Sequence, residues 1–448
     1  MGASIDTPEQ AAAWLEGLIN VEKLPDRAKV RLTLEPIHAL LGLVGNPERT
    51  LRPLHVAGSK GKGSTALWSE ALLRAGGLRV GTFTSPHLER WTERFRIDGS
   101  EVPGAQLAAA VERLRGPVEE LREGPPENSP SWFDVTTAAA LLLFADAGLD
   151  AVVLEVGLGG RLDSTNVVQS GATAITSIEL EHTQILGSTL AEIASEKAGI
   201  LKPEIPAVVG ELPNEAREVV RARAREVGAP LSELGVDFDC VVEDLGLAGS
   251  RVRFSDGAFE CDSDLAVVGA HQARNAAVAL ALVRRAGLLG DDALRGFGPK
   301  ALANVRLPGR IERLSEHPLV LVDSCHTSAS ARALAAVIGS AALVKTHLVL
   351  SISSGKDLAA VVRALAPRAD TVTVTCAEPV RSADPGEVES IVRQCAPRCV
   401  VESIVEPELA LRTVAERAGS DDWIVAAGSV YLAGMARRIL APGAQRGG

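Results

Sequence analysis

Leu54-His55-Val56-Ala57-Gly58-Ser59-Lys60-Gly61-Lys62-Gly63-Ser64-Thr65 runs from an apolar stretch through a glycine-spaced loop to a lysine and two hydroxyls. Ala66-Leu67-Trp68-Ser69-Glu70-Ala71-Leu72-Leu73 follows as the start of a helix. That order gathers backbone N–H groups, a helix N-terminus and a mobile ammonium around one point, which suits a polyphosphate. The glycines let the backbone close around the anion without Cβ clashes. Gly58, Ser59, Lys60, Gly61, Lys62, Gly63 and Ser64 are therefore the expected phosphate contacts. Lys62 can reach the β and γ oxygens, and Ser64 or Thr65 can face a Mg²⁺. The spacing departs from G-x-x-x-x-G-K-[ST], because Gly63 separates the lysine from the first hydroxyl. The alternative, a glycine-rich turn that binds nothing, leaves Lys62 without a structural reason to be there.

The chain around this loop has 448 residues, more than one hydrophobic core usually supports. Two domains are expected, 1–305 and 306–448, dividing near 302–314 where Pro308-Gly309 makes a turn. The net charge of −11, from 46 basic and 57 acidic residues, argues against a general nucleic-acid or acidic-membrane surface. An anionic substrate then needs a local basic pocket. The six cysteines are scattered without C-x-x-C spacing, so no disulfide framework is expected, and Cys395 and Cys399 read as packing residues. The N-terminus has neither a basic start nor an apolar signal region, and Asp6 breaks the myristoylation pattern. Apolar runs such as 138–144 are too short to span a bilayer. A cytoplasmic protein is the expectation.

Apolar stretches at 54–57, 79–83, 151–156 and 173–178 read as buried strands, with helical patterns such as 134–147 and 190–198 between them. Such alternation implies a mostly parallel sheet covered on both faces. The stretch 236–268 differs: Gly246, Gly249 and Gly257 break short alternating runs, which suggests a small antiparallel appendage. A second α/β series begins near 317. Its strands are expected at 319–323, 347–352, 371–375, 399–402 and 422–427, and its helices at 328–338, 357–365, 385–393, 407–418 and 431–440. This is a smaller doubly wound, Rossmann-like domain without a glycine-rich phosphate loop. The tail 442–448 is rich in glycine and expected to be disordered.

Several constellations fall at expected carboxyl ends of strands, where open α/β folds bind ligands. Ser85, in Thr84-Ser85-Pro86-His87-Leu88, offers a small oxygen ligand, although on its own the stretch reads better as a plain Ser-Pro loop. Glu155 interrupts an apolar strand, an expensive place for a carboxylate unless it is paired or metal-bound. The loop after it projects Arg161 and Asp163. His182, in Glu179-Leu180-Glu181-His182, is a plausible Mg²⁺ or Mn²⁺ ligand beside Glu155 and Ser85, since Mg²⁺ takes mainly oxygens and keeps waters. Lys197 reads as a solvated lysine at a helix C-terminus, capped by Gly199. Arg310, in a Pro-Gly turn at the boundary, can reach across a cleft to a phosphate or form a surface salt bridge. Asp323 ends the first strand of the second domain, where it either receives ribose hydroxyls or caps a helix.

Taken together these pieces resemble the Mur ligase superfamily and, within it, the folylpolyglutamate synthase/dihydrofolate synthase family. The resemblance runs from Arg31 to Leu440. It is carried by 55–64, by 84–88 with Glu93-Arg94, by 155–166, by His182 with Leu186-Gly187, and by Glu196-Lys197-Ala198-Gly199-Ile200. His271-Gln272 with Asn275-Ala276, Pro308-Gly309-Arg310 and Gly428-Ser429-Val430-Tyr431-Leu432 complete it. It implies a P-loop-type ATP-binding central domain over 1–305 and a glutamate-ligase domain over 306–448. It also implies Mg²⁺ binding by Ser85, Glu155 and His182, and a carbamylated Lys197 that holds a second metal. Asn275, Arg310 and Asp323 look like the holders of adenine, phosphate and ribose, with His326 catalytic on the amino-acid side. Positions that depart from the family pattern are Ser59 for Thr, Glu181 for Asp, Leu307 for Trp, Ser324-Cys325 for Gly-Ala and Thr327 for Asn.

The implied reaction is ATP-dependent addition of L-glutamate to a folate or dihydropteroate carboxylate through an acyl phosphate. Lys62, Arg310 and the metals neutralise the transferring charge. The pterin site depends on loops near 30–36, 86–99 and 130–136. A monomer without nucleic-acid or membrane partners is expected. Two other readings remain: a Mur-type ligase acting on another acid such as a cell-wall precursor, and a P-loop nucleotide-binding protein without ligase activity.

Overall fold

The computed structural model describes residues 4–20, 32–339, 344–378 and 381–441. The expected disordered tail at 442–448, residues 30 and 31 of the pterin loop, and the start of the family resemblance at Arg31 lie outside them.

The first sheet has eight strands: β1 (Leu54–Ala57), β2 (Val80–Phe83), β3 (Phe95–Ile97), β4 (Ser100–Glu101), β5 (Ala151–Glu155), β6 (Ala172–Ile175), β7 (Ala207–Val209) and β8 (Leu231–Glu233). Their spatial order is β4-β3-β2-β5-β1-β6-β7-β8, parallel throughout except for the β2-β3-β4 meander. β1 lies between β5 and β6, with Val56 opposite Glu155 and Ala57 opposite Ile175. Alternate residues of a strand face opposite sides. Accordingly, Val153 joins a core with Trp68 and Leu72 of the helix Lys62–Ala75, while Val152 and Leu154 join one with Leu141 and Phe144 of the helix Trp132–Ala147. Both faces need apolar side chains, which is why these strands read as continuous hydrophobic runs.

The appendage is a three-stranded antiparallel sheet, β9 (Asp239–Asp244), β10 (Ser250–Asp256) and β11 (Phe259–Leu265). Val252, Phe254, Phe259 and Cys261 bury one face against the Trp68 core. The other face carries Arg251 paired with Asp264 and Arg253 with Asp262, so hydrophobicity alternates.

The second series forms a six-stranded sheet, β12 (Glu312–Glu316), β13 (Leu319–Asp323), β14 (Thr346–Leu350), β15 (Thr371–Val374), β16 (Val400–Ser403) and β17 (Trp423–Ala427), ordered β12-β13-β17-β14-β15-β16. Only β12 is antiparallel. Asp323 therefore ends the second strand of this sheet and not its first. β12 escapes a sequence reading because Glu-Arg-Leu-Ser-Glu at an exposed edge has no apolar periodicity. Among the described residues no helix is long and apolar enough to cross a membrane.

The carboxyl ends of β1, β2, β5 and β6 and those of β13, β14, β15 and β17 open into one shared cleft of about 1220 Å³. Arg310, on the turn that enters β12, lines it as well.

Candidate active site

The phosphate loop leaves the middle of the first sheet and is tied to the chain after β6. Ser59 N–H donates to Ser177 O (2.8 Å), Lys60 N–H to Ser177 Oγ (2.9 Å), and Thr176 Oγ1–H to Lys60 O (2.5 Å). These bonds draw the chain off the ladder, so β6 ends at Ile175 and not at 178. Ser59, a departure from the family pattern, accepts the Glu179 N–H at 2.9 Å. Gly61 sits at φ +84°, where a Cβ would also collide with the Asn275 side chain. Asn275 is thus brought against the loop. The helix that begins at Lys62 has no side-chain cap among the described residues, so its first N–H groups remain for a ligand. Lys62 Nζ folds back to donate to Gly58 O at 3.0 Å.

Glu155 ends β5 and is 4% exposed. One oxygen accepts the Ser85 N–H at 2.9 Å, and among the described residues no cation pairs with it within 4.0 Å. The same oxygen would lie 3.1 Å from a Cβ on Gly63, so the carboxylate abuts the phosphate loop. Burial raises its pKa, with Lys62 opposing. The salt-bridge alternative for Glu155 therefore does not hold. Ser85 and His182 line the same cleft; His182 adopts a left-handed φ of 48° at the start of the turn Thr183–Leu186. No group of three or more His, Cys, Asp or Glu side chains converges on a metal-holding point among the described residues. The donor set fits a hard cation held by one carboxylate, with hydroxyl, phosphate and water completing the shell, the usual situation for Mg²⁺.

Lys197 is not solvated. Although it lies in the last turn of the helix Leu190–Ala198, it is 1% exposed and points inward. Its Nζ donates to Gly58 O and to Glu181 Oε1, both at 3.0 Å. Burial pushes its ammonium down to about 8 against the opposing pull of Glu181. Gly199 is the C-cap of that helix, as expected; it stays right-handed (φ −63°) and its N–H donates to Glu196 O. Glu181 Oε2 lies 3.5 Å from Lys60 Nζ. Burial favours the protonated acid, but Lys197, Lys62 and Lys60 outweigh it and hold Glu181 well below the carboxylate range. Sequence spacing named Glu181 only as a departure, because spacing does not tell which lysines one carboxylate will meet.

Asp323 and Asp163 differ from expectation. Asp323 is buried; Oδ2 accepts the Ile311 N–H (2.7 Å) and Oδ1 the Cys325 N–H (2.8 Å). It closes a turn and caps no helix, since the next one starts at Ser328. Its carboxylate nevertheless lines the cleft. Asp163 does not project: it folds inward to accept the Leu158 N–H (2.8 Å) and the Thr165 hydroxyl (2.5 Å). Arg161 does project, onto Glu196. Arg310 lines the cleft, donating to Gly309 O and Ser324 Oγ, so the departure Ser324 gives this guanidinium a hydroxyl partner. Cys325 and Leu307 fill cores, and Thr327 Oγ1 pairs with Ser330 Oγ at 2.9 Å. His326 lies 3.0 Å from Lys60 Nζ, across the cleft.

Sequence reasoning did not single out Glu378, which lies in the bend beyond β15 and accepts the Ser353 and Ser429 hydroxyls. The signal available was weaker than for Glu155, which is the last residue of its strand: Glu378 stands a few residues beyond an apolar one. Arg94 was noted only as part of a motif, yet it is fully buried, with its guanidinium 4.6 Å over the Trp132 ring and Nε donating to His87 Nδ1 at 3.0 Å.

Comparison with known proteins places this geometry. Residues 309–430 match the family described as Mur ligase, glutamate ligase domain. The chain is 34% identical over 476 residues to the dihydrofolate synthase/folylpolyglutamate synthase of Mycobacterium tuberculosis, covering 97% of this chain and 95% of that one. Among solved structures, Escherichia coli FolC in complex with DHPP and ADP superposes with a TM-score of 0.83 at 31% identity, covering 98% and 99% of the two chains. The Yersinia pestis bifunctional folylpolyglutamate synthase/dihydrofolate synthase with Mn, AMPPNP and L-glutamate bound gives a TM-score of 0.80 at 32% identity, covering 98% and 100%. The chain spans about half, 49% and 48%, of two curated relatives whose names add dihydropteroate synthase to folylpolyglutamate synthase.

Proposed function

This chain belongs to the folylpolyglutamate synthase/dihydrofolate synthase family, and we propose that it joins L-glutamate to a folate or dihydropteroate carboxylate at the expense of ATP. The observation that carries the reading is the charge around the phosphate loop. Three ammonium groups, Lys60, Lys62 and Lys197, surround an uncapped helix N-terminus with Glu181 as their one ion-paired carboxylate among the described residues. Like charge gathered this closely favours an anion bound between the ammonium groups. This is the local basic pocket that a chain of net charge −11 requires.

ATP phosphates are assigned to 58–64 and Arg310, with Asn275 and Asp323 toward the nucleoside. Ser85, Glu155 and His182 are assigned to a divalent cation, Mg²⁺, which neutralises phosphate charge when bound. Lys197 is the candidate for carbamylation and a second metal, supported by its burial and its lowered ammonium pKa. Leu32, Phe133, Leu158 and Leu162 form the apolar end of the cleft, suited to a flat pterin. One chain supplies both walls of the cleft, which supports action as a monomer.

In the reaction, an oxygen of the acid carboxylate attacks the γ-phosphorus and ADP departs with the bridging oxygen. Lys62 and Arg310 hold the transferring charge. The glutamate ammonium gives one proton to His326 Nε2, and its freed lone pair attacks the acyl carbon. The bond to phosphate then breaks, and phosphate leaves with the electron pair and takes the second proton. Withdrawal of both walls of the cleft from water protects the acyl phosphate from hydrolysis.

The test is ADP release by the purified chain with dihydropteroate or tetrahydrofolate, each with and without L-glutamate. Glutamate-dependent turnover with at least one acid is expected. ATP turnover that ignores both acids and glutamate contradicts the reading.

A further inference from the structure

Lys60 and Lys62 lie two residues apart, but their ammonium groups go to different places. Lys62 turns onto Gly58 O, whereas Lys60 crosses the cleft to His326 Nε2 at 3.0 Å and also lies 3.5 Å from Glu181 Oε2. His326 Nδ1 is 3.0 Å from Ser324 O. A carbonyl oxygen only accepts, so these partners assign the proton to Nδ1 and leave a lone pair on Nε2, which Lys60 meets as donor. A single hydrogen bond therefore joins the phosphate loop to the histidine on the amino-acid side.

We propose that Lys60 is a positioning residue for glutamate ligation: it aims Nε2 of His326 into the cleft and keeps it unprotonated. The inference rests on the ligase reading above. The charged groups facing His326 are Lys60 from the phosphate loop, Lys356 from the loop after β14, and Arg310 from the turn before β12; all three are cations. Glu181 lies behind Lys60, which bridges its carboxylate to the imidazole. Burial first, and then Lys60, hold the histidine well below its ordinary pKa. A proton on Nε2 would point at an ammonium, so the imidazolium loses a hydrogen bond and gains a like-charge contact. An incoming amine arrives protonated and needs this neutral acceptor. Lys60 also sits where a bound phosphate draws it away. The lone pair is then released to glutamate once the nucleotide is in place.

The test is a ¹⁵N titration of the ring nitrogens in the full-length chain without ligands, with His326→Gln identifying the resonance among the eight histidines. Lys60→Met is expected to raise the His326 midpoint by about one pH unit, and Lys60→Arg to leave it near wild type, the size usual for one adjacent charge. An unmoved His326 midpoint in Lys60→Met, with the other seven histidines unchanged, overturns the proposal. The titration needs no activity, so it is independent of the ligase reading, which fails separately if neither acid supports ADP release.

Discussion

Lys62→Ala abolishes glutamate-dependent ADP release with dihydropteroate and with tetrahydrofolate alike, a loss of about 10³-fold or more in kcat/KM for ATP. The expectation follows from where the side chain is and what it leaves unchanged. Lys62 opens the helix Lys62–Ala75, among the described residues its ammonium donates to Gly58 O alone, and the ammonium groups of Lys60 and Lys197 lie nearby. Removing it relieves like-charge crowding, so the fold should survive with thermal stability equal to or above wild type. A loss of activity then reports on phosphate handling and not on folding. Full activity in Lys62→Ala would refute the assignment of the loop.

Glu155→Gln should lose ligation by a similar factor while making the ligand-free protein more stable by about 1–2 kcal/mol. The wild-type carboxylate is buried, lacks an ionic partner among the described residues, and has one hydrogen bond, from the Ser85 N–H. Glutamine keeps an oxygen for that bond and sheds the buried charge. The same substitution removes the anionic ligand proposed for the divalent cation, so the Mg²⁺ concentration for half-maximal activity should rise sharply. Thermal melts of metal-free protein and a Mg²⁺ titration check both halves. A Glu155→Gln protein that is less stable yet needs no more Mg²⁺ would show that Glu155 is a structural residue.

Much of this site was legible before any coordinates, for a physical reason. A parallel sheet buried on both faces writes itself as apolar runs, and its ligands gather where those runs end. Glu155 and the loop at 58–64 could therefore be placed from sequence, as could the neighbourhood of Ser85 and His182. Side-chain direction does not follow from position along a strand. Asp163 and Asp323 turn inward to close their own loops, and Lys197, expected in solvent by composition, is among the most buried side chains in the molecule. The resemblance to a family had already reversed that expectation. What neither spacing nor resemblance supplied was the way residues far apart in sequence share partners. Glu181 between Lys197 and Lys60, and Lys60 against His326, require both sheets to be folded and facing. Short polar edge strands such as β12 stay silent because no hydrophobic period marks them.

The central claim is that ATP is spent on a carboxylate that glutamate then captures. Its most direct test uses an acid substrate labelled with ¹⁸O in the reacting carboxylate, with mass analysis of the inorganic phosphate released. Activation through an acyl phosphate predicts one ¹⁸O atom in the phosphate for each amide formed. Amide product accompanied by unlabelled phosphate would contradict the account.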